Sequence, residues 1–91
     1  MPAYEYTIHA KRKLQLPEIK KLGIGKKIIQ QVILRPNAID NSEMPVLIAI
    51  GYLTDELSLC VVYRKVRGVI RIITFYPAEK GRCESKILSE R

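Results

Sequence analysis

The sequence predicts an α+β domain, with two N-terminal helices packed on one face of a three- or four-stranded antiparallel sheet. Three observations predict it. Residues 58–77, SLCVVYRKVRGVIRIITFYP, carry two β-branched and aromatic runs, 59–66 and 69–76, around Arg67-Gly68. Such runs fit a pleated surface, and a two-residue joint with Gly second makes a tight hairpin. Ile24, Ile28, Ile29, Val32 and Ile33 recur at the spacing of one helical face. The helical pattern precedes the strand pattern instead of alternating with it, which sets α+β apart from α/β.

Along the chain, residues 4–7 read as extended, and Thr7 reads as the N-cap of a helix over residues 8–16. Pro17 ends that helix, because the residue before a proline avoids helical backbone. It can itself open a short further turn over residues 18–22. Gly23 and Gly25 break the chain before a helix over residues 26–34, which Pro36 terminates. Ala38, Ile39 and Asp40 form a short edge strand. Residues 46–53 form a longer one, whose Gly51 marks a bulge or a close backbone approach.

In the hairpin, Val66 is expected opposite Val69, Arg64 opposite Arg71 and Val62 opposite Ile73. Strict period-two alternation puts Leu59, Val61, Tyr63, Ile70, Ile72, Thr74 and Tyr76 on the core face. It puts Cys60, Val62, Arg64, Arg71, Ile73 and Phe75 on the other. Residues 84–91 read as a frayed helix or disordered tail, as termini often are.

The 91 residues suffice for one core and one domain over residues 1–91. The start of the chain lacks a basic stretch followed by an apolar one, so no signal peptide is read. Cys60 and Cys83 have no metal or redox spacing, and are expected as free thiols in a reducing cytoplasm. A single histidine and scattered carboxylates exclude a recognisable metal cluster, and no cofactor is implied.

The net charge of +7 is unevenly spread. Residues 9–35 hold eight Lys or Arg against one acid, Glu18, whereas residues 36–63 hold four acids and no Lys or Arg. Residues 64–91 return to eight basic against three acidic. Segregated positive charge is the footprint of a polyanion partner, most often nucleic acid, or of an acidic protein. Arg64 and Arg71, directly opposed, repel unless an anion such as a phosphate sits between them or each finds a carboxylate. His9 shares a helical face with Arg12 and Lys13. Neighbouring cations favour neutral imidazole, which suits a general base; the alternative is a half-buried histidine bonded to a carbonyl.

His9-Ala10 opening a basic helix, Gly23-Ile24 before an Ile-rich helix, Val62-Tyr63 on a strand, and Ile73-Thr74-Phe75-Tyr76-Pro77 followed by Lys80-Gly81-Arg82 form a distinctive set. It resembles the small prokaryotic domains related to BrnT and, more distantly, RelE-type toxins, over residues 9–82. The resemblance implies a compact sheet with helices on one side. For the toxin relatives it implies metal-independent cleavage of messenger RNA and neutralisation by a small acidic antitoxin. Carried over by motif, His9, Tyr63, Tyr76 and Arg82 match, and Arg12, Arg64 and Arg71 match in character. The expectation is a toxin-like ribonuclease in which His9 or Tyr76 moves protons and Arg12, Lys13, Arg64, Arg71, Lys80 and Arg82 hold RNA. The alternative is a non-catalytic module binding nucleic acid or protein through the same patch.

Overall fold

The computed structural model describes residues 3–79. In chain order the elements are β1 (Ala3–Tyr6), α1 (Ile8–Lys13), α2 (Pro17–Lys21), α3 (Lys26–Leu34), β2 (Ala38–Asp40), β3 (Val46–Tyr52), β4 (Leu57–Val66) and β5 (Val69–Glu79). The α+β class holds. The sheet, however, has five strands in the order β1-β5-β4-β3-β2, and the described residues form three helices.

The expected all-antiparallel sheet is corrected at one edge, where β1 pairs in parallel with β5 through Ala3↔Val69 to Tyr6↔Ile72. No local pattern announces this pairing. Parallel neighbours need a crossover connection, and here every other element lies between the two strands. The first helix is also shorter than expected, with Leu14 as its C-cap, and Pro17 takes the first position of α2.

The helices cover one face of the sheet. Ala10, Ile19, Ile29 and Val32 meet Leu59, Val61, Ile72 and Phe75 in the main core. Gly51 permits the closest approach, since a Cβ there would lie 2.8 Å from a Val32 methyl carbon. A smaller cluster on the opposite face gathers Ile50 and Cys60 with Ile48, Ala38, Tyr76 and Ala78.

At the hairpin turn both Arg67 (φ 49°) and Gly68 (φ 81°) are left-handed, matching a type I′ turn and the right-handed twist of its strands. Val66↔Val69 and Arg64↔Arg71 pair as expected. The register then shifts: Tyr63 opposes Ile72 and Val62 opposes Thr74, which leaves Ile73 as an extra residue, a β-bulge. Beyond it the faces exchange. Phe75, expected beside the arginines, is fully buried in the main core, and Tyr76, expected in that core, turns to the other face against Cys60.

Cys60, expected as a free thiol, is disulfide-bonded. The sequence's other cysteine, Cys83, lies outside the described residues, as do Lys80, Arg82 and the expected tail. Among the described residues, no helix is long and apolar enough to cross a membrane.

Candidate nucleic-acid interface

Thr7 fixes where α1 sits. Its hydroxyl oxygen accepts from the Ala10 amide at 3.2 Å, the N-cap bond expected of it. The same hydroxyl donates to the carbonyl of the bulge residue Ile73 at 2.7 Å, and the Thr7 amide donates to Ile72 at 3.1 Å. One residue therefore caps the helix and ties it to β5 where β1 stops. From there α1 runs along the β5 edge, whose outward carbonyls would otherwise lack partners.

Lys13 serves the next of those carbonyls. Its ammonium donates to the Phe75 carbonyl oxygen and lies 5.4 Å from the Phe75 ring centroid and 5.9 Å from that of Tyr76. Burial pushes the Lys13 amine below its ordinary pKa, although the carbonyl and the ring faces favour the charged form. Lys13, expected to contact phosphate, thus carries a bond to β5 and two aromatic contacts within the rim.

His9 lies one turn before Lys13, in the first turn of α1, and is exposed. Arg12 is exposed on the same short helix, and neither residue has an ion pair among the described residues. Tyr76 is half-buried beneath Lys13. His9, Arg12, Lys13 and Tyr76 thus belong to one rim, where α1 meets the distal half of β5. Tyr63 does not join them. It is buried in the main core, where desolvation raises its hydroxyl pKa.

Arg64 and Arg71 face each other across the ladder on the exposed side of the sheet. Arg71 is paired with Glu5 at 3.3 Å, its register neighbour on β1. The carboxylate answers much of the like-charge problem seen in the sequence, and it comes from the strand whose pairing was unforeseen. The two arginines stand about 15 Å along the strands from Tyr76, backbone to backbone, at the rise of a strand. Lys80 and Arg82 lie outside the described residues. No group of three metal-ligating side chains occurs among the described residues.

Comparison of the chain with family models, curated proteins and solved structures finds no match. None of the three comparisons supports the resemblance to BrnT and RelE-type toxins, which is one of short motifs.

Proposed function

We propose that this chain is an RNA-binding domain of RelE/BrnT-like design, engaging a single strand through the α1–β5 rim and the arginines of the hairpin. The observation that carries the reading is the run Lys11-Arg12-Lys13 in the last turn of α1, a helix with no acid in its first turn. His9 lies on the same helix, and Arg64 and Arg71 lie farther along the sheet. A strand following β5 from Tyr76 to Arg71 would meet an aromatic ring first and guanidinium groups several nucleotides on, the combination that single-stranded binders use. An acidic protein, such as an antitoxin, would be drawn to the same surface.

One observation favours a second reading, metal-independent cleavage: His9, Lys13 and Tyr76 belong to one rim. In that reading the His9 imidazole takes the proton of a 2′-hydroxyl, whose oxygen forms a bond to the adjacent phosphorus. The 5′-oxygen leaves with a proton from Tyr76, and the product end is a 2′,3′-cyclic phosphate. The Lys13 ammonium offsets the charge developing on the phosphorane. The disulfide at Cys60 removes the thiol argument for a reducing cytoplasm, since disulfides belong to oxidising compartments and to hyperthermophile interiors.

A labelled single-stranded RNA, incubated with protein in excess chelator, tests both readings. Binding that weakens steeply with salt is expected, because displaced counterions dominate such affinity. Under the second reading His9→Ala leaves affinity nearly intact and slows cleavage about 10²–10⁴-fold. Absence of binding at low salt overturns the first reading. Binding without cleavage, with ribosomes present or absent, overturns the second.

A further inference from the structure

At the opposite edge of the sheet, a pocket of about 670 Å³ opens where the C-terminal end of α3 meets β3. Its floor is apolar, formed by Ile28, Val32, Gly51 and Leu53. Gly51 is what allows Val32 so close to the strand. Tyr52, 49% exposed, supplies an aromatic wall. The polar groups are Gln31, Arg35 and Asn37, and among the described residues no lining side chain is acidic.

Those groups are not equivalent. The Asn37 side-chain Oδ1 already accepts from the Tyr52 backbone N–H at 3.1 Å, and the Asn37 backbone N–H donates to the Ile50 carbonyl at 2.8 Å. Asn37 is therefore held in place, with its side-chain NH₂ left to donate. Arg35, the C-cap of α3, is exposed and makes no ion pair among the described residues. Gln31 can both donate and accept. An apolar floor, an aromatic wall, a fixed amide donor and one guanidinium suit a flat heterocycle with carbonyl or ring-nitrogen acceptors and one anionic substituent.

We propose that this pocket binds a nucleoside monophosphate unit, its base stacked on Tyr52 and hydrogen-bonded by Asn37 and Gln31, its phosphate on Arg35. The unit is either a free nucleotide or one residue of a single strand. Phosphate alone is a poor ligand here, because a helix C-terminus repels anions and, among the described residues, Arg35 is the one cation in the lining. The base supplies most of the affinity. The site is separate from the α1–β5 rim, and the proposal needs neither RNA binding there nor cleavage.

The experiment is an NMR titration of the full chain with the four 5′-monophosphates, inorganic phosphate and a short single-stranded RNA. Amide shifts in residues 31–37 and 51–53 are the expected result with at least one monophosphate. Tyr52→Ala should weaken that binding roughly 5- to 100-fold, the range for loss of one base–aromatic stack, while Tyr52→Phe retains it. Arg35→Ala should remove the preference for the monophosphate over its nucleoside. A strand that binds the pocket more tightly than any monophosphate identifies the source as single-stranded RNA; the reverse order identifies free nucleotide. Absence of shifts in these segments with every nucleotide and with the strand overturns the proposal. So does affinity unchanged in Tyr52→Ala, or inorganic phosphate binding as well as the monophosphates. Loss of pocket binding with rim binding retained leaves the proposed function standing, and the converse holds equally.

Discussion

Arg67 holds left-handed backbone at φ 49°, which costs a residue with a β-carbon roughly 1–2 kcal/mol. Asn tolerates that region and Asn-Gly is the preferred type I′ pair. Arg67→Asn should therefore stabilise the domain by about 0.5–1 kcal/mol, read as a higher urea midpoint at unchanged slope. A lower midpoint would contradict the turn assignment. Lys13 gives a residue-scale test by pH. Burial lowers its folded pKa below the 10.5 of the free side chain, so between the two values the unfolded chain binds the extra proton. Stability from this group thus rises with pH through that window and is fully present above 10.5. Buried Tyr6 and Tyr63 have raised pKa values, so their contribution is present below 10.0 and is lost as pH rises through the folded values. Melting temperature against pH should show wild type gaining on Lys13→Met as pH climbs toward 10.5. A constant difference would mean that Lys13 is not desolvated.

At the scale of elements, the join of α1 to the β5 bulge depends on Thr7. Thr7→Val keeps the shape but removes both the cap acceptor and the donor to Ile73, and should cost about 1–2 kcal/mol. Chemical denaturation measures this, and a change within about 0.5 kcal/mol would contradict the double role. The sequence made several elements legible: the Thr7 cap, α3 by its periodicity, the Arg67-Gly68 turn and the Arg64–Arg71 pairing beside it. It hid the bulge at Ile73. Alternation is read by counting, and one extra residue inverts every assignment after it. Phe75 and Tyr76 were therefore exchanged between faces, although the runs that contain them were placed correctly.

On the scale of the whole molecule, what escaped the sequence was contact between distant segments. Nothing local in Tyr4-Glu5-Tyr6 says that it will lie beside β5, yet that pairing delivers Glu5 to Arg71 and starts α1 along the β5 edge. The charge segregation was legible, and the fold keeps it: α1, α2 and α3 carry seven Lys or Arg against Glu18, and β2 ends in the buried Asp40. Amide-shift mapping of the full chain with a short single-stranded RNA tests the proposed interface most directly. Shifts are expected in residues 8–13, at Tyr76 and along Arg64 and Arg71, fading as salt is raised. RNA that binds at low salt while leaving residues 8–13 and 71–76 unshifted would contradict the α1–β5 rim as the interface.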